Sequence, residues 1–124
     1  MLAKTLSCGL SGVYGYPVEV EAFISNGMIG FEIVGLPSMA VKESRDRVRA
    51  AIAVSGLSFP FGKVTVNLAP ADVKKEGTTF ELAIAVALLA ARSPEAFHGL
   101  GETMLLGELA LDGRMMPVRG ALGM

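Results

Sequence analysis

From Leu82 to Ala91 the chain runs ten residues without a polar side chain, LAIAVALLAA. No solvated stripe can be drawn on a helix of that composition, so it must be buried on most sides, and other elements must wrap around it. The stretch leading into it, Val64 to Gly77, reads as a short alternating strand, Val64-Thr65-Val66-Asn67-Leu68, followed by a polar loop with Pro70, Lys74, Lys75 and Gly77. Thr78 with Glu81 three residues later has the spacing of a capping box, which predicts a helix start there. Ser93-Pro94 predicts its end, because a residue before proline is driven out of the helical region.

Elements to cover that helix are present on both sides of it. Leu2–Leu10 is a candidate strand, and Gly12–Pro17 punctuates it. Val18 to Ile24 alternates, with Val18, Val20, Ala22 and Ile24 on one face and Glu19 and Glu21 on the other. Ser25-Asn26-Gly27 predicts a turn, after which Ile29–Val34 returns to close a hairpin with one wet face. Ser38 is the natural N-cap of a helix running to about Ser55, stopped by Gly56. Val41, Ser44, Val48, Ala51, Ile52 and Ser55 form its narrow inward seam, and Glu43 with Arg47 and Lys42 with Asp46 are spaced as surface ion pairs. Near the end, Asp112-Gly113 is the preferred two-residue turn between Leu109–Leu111 and Arg114–Val118. Six or seven strands and two helices predict an α+β fold, a mostly antiparallel sheet with helices on one face.

A chain of 124 residues, 52% hydrophobic and 19% charged, fits one domain with a real core. The apolar run is about half of the roughly 20 residues that a membrane span needs. With no signal sequence evident and one cysteine, Cys8, the cytoplasm is the expected compartment. The last residues, Arg119 to Met124, carry no finishing element, so residues 1–124 read as a single domain cut short at its C-terminal end.

Chemistry is sparse. None of the 15 glycines falls in a G-x-x-x-x-G-K-[ST] run or in a G-x-G-x-x-G that opens a helix. One histidine, His98, lies 90 positions from Cys8, which leaves neither a metal cluster nor an imidazole-based triad to assemble. A Thr78 or Thr79 hydroxyl activated by Lys74 or Lys75 is conceivable, against the plainer reading of capping threonines and solvated lysines. Residues 42–75 hold seven basic side chains, Lys42, Arg45, Arg47, Arg49, Lys63, Lys74 and Lys75, against three acidic ones, a net of +4. On one side of the fold these would offer a basic patch to phosphate; the alternative is an ordinary solvated surface. The overall net charge of −1 argues against binding nucleic acid by bulk charge.

Three segments, Phe31-Glu32-Ile33-Val34-Gly35-Leu36-Pro37, Val41 to Ala51 and Val64 to Asp72, resemble in that order the N-terminal domain of the ComM/YifB group of magnesium-chelatase-like AAA+ proteins. The resemblance implies an ATPase module beyond this chain, with ATP and magnesium as its cofactors, a hexameric homo-oligomer, and action on DNA as a branch-migration helicase in natural transformation. It also implies the fold of the Lon proteolytic domain, which a ribosomal small-subunit protein and the GHMP kinases share. Lys75-Glu76-Gly77-Thr78-Thr79-Phe80-Glu81 is similar to the Lon K-D-G-P-S-A-G run, which places Thr79 opposite the nucleophile. Leu106 to Arg114 and Pro117 to Gly120 resemble the hairpin that follows it there, and the catalytic lysine then falls at Leu122. A leucine cannot take a proton from a hydroxyl, and Phe80 is bulky where the relatives have a small residue. The expectation is a non-catalytic domain serving assembly or DNA placement, with no metal of its own. Arg45, Arg47, Arg49, Lys63, Lys74 and Lys75 are its candidate contacts to DNA or a partner, and a Lon-like Ser/Thr peptidase is the alternative.

Overall fold

The computed structural model describes residues 1–11 and 14–116. Strand β1 (Leu2–Ser11) and strand β2 (Tyr14–Ser25) are followed by β3 (Gly30–Val34), helix α1 (Met39–Val54), β4 (Lys63–Ala69) and helix α2 (Glu81–Arg92). Two 3-10 turns, Pro94–Ala96 and Leu100–Glu102, lead to a small hairpin of β5 (Glu108–Leu109) and β6 (Met115–Met116). The main sheet has the order β1-β2-β4-β3, with β3 and β4 parallel and the other pairs antiparallel. The architecture is therefore mixed α/β, a mostly antiparallel sheet with two helices.

The expected hairpin of residues 18–34 does not form. β4 lies between β2 and β3, with Val20 opposite Leu68, Ala22 opposite Val66 and Ile24 opposite Val64, and Ile33 opposite Val66 on its other side. Val64, Val66 and Leu68 have no solvent exposure, and the strand with the most completely buried apolar face takes the centre of the sheet. Asn26 to Ile29 thus carry the chain across two strand spacings, roughly 10 Å, rather than round a two-residue turn. The antiparallel partner of β2 within its own hairpin is β1. The predicted break at Gly12–Pro17 is also shorter than expected, since Tyr14 to Pro17 belong to β2. Pro17 is tolerated there because β4 pairs β2 only from Glu19 onward, so no partner waits for the missing amide on that side.

The alternation in β2 and β4 separates two faces. Val18, Val20, Ala22, Ile24, Phe31, Ile33, Val64, Val66 and Leu68 join residues of α1 and α2 in one core, so both helices lie on the same face. Every residue of α2 up to Ala91 is buried or half-buried, as the apolar run required. Phe80, Ile84 and Leu88 each contribute about 1.5–3 kcal/mol by leaving water. Polar Thr5, on the core side of β1, is accommodated by donating to the Ala83 carbonyl of α2 at 2.9 Å. The opposite face is wet: Lys4 pairs with Glu19 at 3.6 Å and Glu21 at 3.7 Å, and Asn67 donates to Glu21.

Helix α1 keeps its predicted limits, with the Ser38 hydroxyl accepting from the Val41 amide and Gly56 beyond the end at φ +79°. Its seam is buried at Val41, Ser44, Val48, Ala51 and Ile52, whereas Ser55 is exposed. The β5–β6 turn differs by one residue from the Asp-Gly expectation. Gly113 donates to the Ala110 carbonyl at 3.0 Å and itself has φ +89°, so Leu111 and Asp112 are the central pair and Gly113 takes the left-handed position after them.

Candidate functional site

The loop from Pro70 to Phe80 joins the central strand to the buried helix and carries Lys74, Lys75, Thr78 and Thr79. Its middle is fastened by main chain: the Lys75 amide donates to the Leu36 carbonyl at 2.9 Å, and Ser38 donates to the Lys75 carbonyl at 2.8 Å. The Lys75 side chain has no solvent exposure, and its ammonium donates to the Pro70 carbonyl of the same loop. Burial pulls its pKa below the ordinary lysine value, an effect that Asp72 partly offsets. The expectation of a solvated Lys75 is thus corrected: the side chain is an internal strap, and its charge is withdrawn from the surface.

The capping box is not formed either. Helix α2 begins at Glu81 with Phe80 as its cap and no side-chain capping bond. Thr78 instead donates to the Glu108 carboxylate at 2.6 Å. Glu81, with no solvent exposure, accepts from the Arg47 guanidinium at 2.6 Å, the Ser44 hydroxyl at 2.8 Å and the Leu109 amide at 2.8 Å. One carboxylate therefore ties α1, α2 and β5 together, and Arg47 pairs with Glu81 in place of the expected Glu43. The signal available in the sequence was the helix itself, since a carboxylate opening an all-apolar helix has no wet face to use and must find its donors inside.

Thr79 is buried, and its carbonyl accepts from the Gly107 amide at 3.0 Å. Among the described residues no amine is hydrogen-bonded to its hydroxyl, and the neighbouring lysine is spent on Pro70. Leu122 lies outside the described residues. Neither helix start is arranged for a nucleotide phosphate. The first turn of α2 carries the anionic Glu81, its Leu82 amide is already donated to Gly107, and α1 is capped by Ser38. Among the described residues no three His, Cys, Asp or Glu side chains are grouped to hold a metal ion.

The six candidate contact residues are not gathered on one surface. Arg45 and Arg49 are exposed on α1 beside β3, where Arg45 donates to the Phe31 carbonyl at 3.2 Å and Arg49 lies 4.8 Å from the Phe59 ring centroid. Lys63 is exposed and shares the parity of Thr65 and Asn67, on the sheet face away from the helices. Lys74 is exposed beyond the far end of β4, 4.0 Å from Glu76. Arg47 and Lys75 are committed internally, as described.

The described residues thus form a mixed sheet with two helices on one face, with a buried carboxylate joining α1, α2 and β5. The family follows from comparison. The model of the family described as "Subunit ChlI of Mg-chelatase" matches residues 20–124, and the chain belongs to that family. It is 51% identical over 111 residues to the uncharacterized protein YifB of Escherichia coli, covering 90% of this chain and 22% of that protein. It is 46% identical over 121 residues to an uncharacterized protein of Mycobacterium tuberculosis and 42% identical over 121 residues to the competence protein ComM of Haemophilus influenzae, covering 98% of this chain and 24% of each. The ComM/YifB resemblance read from the three segments is thus borne out, and the chain spans about a quarter of the length of these relatives. Among the described residues no helix is long and apolar enough to cross a membrane.

Proposed function

We propose that this chain is the non-catalytic, Lon-like domain of a magnesium-chelatase-like AAA+ ATPase that acts on DNA, in branch migration during natural transformation. Its own task in that reading is subunit assembly and placement of DNA. ATP and magnesium are bound by a separate module of a longer, hexameric protein in the cytoplasm. The family and the likeness to a competence protein support the motor assignment. The observation that carries the non-catalytic part is the surroundings of Thr79: among the described residues no amine is hydrogen-bonded to its hydroxyl, and the buried Lys75 ammonium donates to the Pro70 carbonyl instead. Leucine at position 122, where the Lon resemblance calls for a lysine, supports the same conclusion.

The test is fluorophosphonate labelling and casein cleavage with the chain and with Thr79→Ala. The expected result is no labelling and no cleavage by either. Turnover by the parent chain that disappears in the variant would instead establish a Lon-like Ser/Thr peptidase.

A further inference from the structure

We propose that the open edge of β3 is a docking strand for an acidic, extended segment of a partner polypeptide. β3 ends the sheet order, with β4 on one side of it and, among the described residues, no strand on the other. The Phe31 carbonyl accepts from Arg45, so Phe31 turns its main-chain groups toward the open side. The two-residue period of a strand puts those of Ile33 there as well. Beside them a cavity of about 290 Å³ is lined by Glu32, Ile33, Lys42 and Arg45.

Lys42, Arg45 and Arg49 stand three and four residues apart on α1, one helical stripe bordering this edge. Arg49 holds the far end of the stripe against the Phe31 and Phe59 rings, at 5.9 and 4.8 Å from their centroids. At the other end Leu36 and Met39 are exposed, apolar contacts for alternate side chains of an added strand. Exposed edges in soluble proteins are usually blunted by charge, proline or a cover. Here the Arg45 guanidinium on Phe31 is an exchangeable cover: an incoming amide replaces it on the carbonyl and frees it for an incoming carboxylate. Main-chain pairing supplies affinity, and the cationic stripe selects acidic sequence. A duplex phosphate backbone suits this edge less well, because it has no amides or carbonyls in strand register to pair with the open main-chain groups of Phe31 and Ile33.

Fluorescence anisotropy with a labelled six-residue peptide alternating glutamate and valine tests the proposal, using the 124-residue chain. Binding is expected, weakened by about tenfold or more in Arg45→Glu and in Lys42→Glu. Circular dichroism of each variant should match that of the parent chain. The Phe31 and Ile33 amides should gain protection from hydrogen exchange on binding. Equal binding of a lysine–valine peptide, binding unaffected by both substitutions, or protection elsewhere would overturn the proposal. So would an oligothymidylate probe that binds through Arg45 and Lys42 while the peptide does not, or self-association in sedimentation that buries the edge.

Discussion

Glu81 has no exposure to solvent, and an ionised carboxylate in that position costs several kcal/mol unless donors surround it. Arg47, Ser44 and the Leu109 amide are those donors. Arg47→Ala leaves the charge without its cation, and we expect a loss of about 3 kcal/mol in urea unfolding. Glu43→Ala, on the same helix and exposed, should change stability by less than about 0.5 kcal/mol. Gly35 marks a second constrained position. It has φ +99°, and a Cβ there would sit 2.2 Å from the Leu68 carbonyl oxygen, so Gly35→Ala should cost more than about 1 kcal/mol by the same measurement. Neither role can be read from local spacing. Thr78 and Glu81 match a capping box in sequence, yet the carboxylate is claimed by residues 28 and 34 or more positions away, which no short window contains.

The two helices were legible for different reasons, α1 by its limits and α2 by its composition and its Ser93-Pro94 stop, while the expected capping box at the start of α2 did not form. Ser38 and Gly56 bracket α1, and the ten apolar residues of α2 permit only burial. Strand pairing was less legible, since alternation places a side chain on a face without naming its neighbour. Val18, Val20, Ala22 and Ile24 lined the core as read, while the neighbours of β2 proved to be β1 and β4 rather than β3. The β5–β6 hairpin carries a pH prediction. Hydrogen bonds from the Arg114 amide and guanidinium, chiefly the amide, hold the Asp112 carboxyl below its ordinary value of 3.8. A lowered folded-state pKa stabilises above the ordinary value and is lost as pH falls through the folded one. Protection of the Ala110 amide, which donates to Arg114 at 2.8 Å, should therefore drop in acid below 3.8. Asp112→Asn should abolish that pH dependence.

For the molecule as a whole, charge gathered in sequence is dispersed in space. Lys63 and the α1 arginines sit on different faces, and Lys75 and Arg47 face inward. With a net charge of −1, the isolated chain should bind duplex DNA weakly or not measurably in anisotropy titrations. In the full-length protein, the proposed role on DNA predicts that charge reversal at Lys74 and Arg49 weakens DNA binding and flattens its salt dependence between about 50 and about 200 mM. An unchanged slope would remove both from the DNA contact. The placement of β4 also bears on how the chain comes into being. β2 and β3 are both synthesised before the strand that lies between them, so neither has its β4 neighbour until residues 63–69 have been added. Until then the strand edges that β4 will occupy have no partner within the chain, and unpaired strand edges are where another polypeptide can add on.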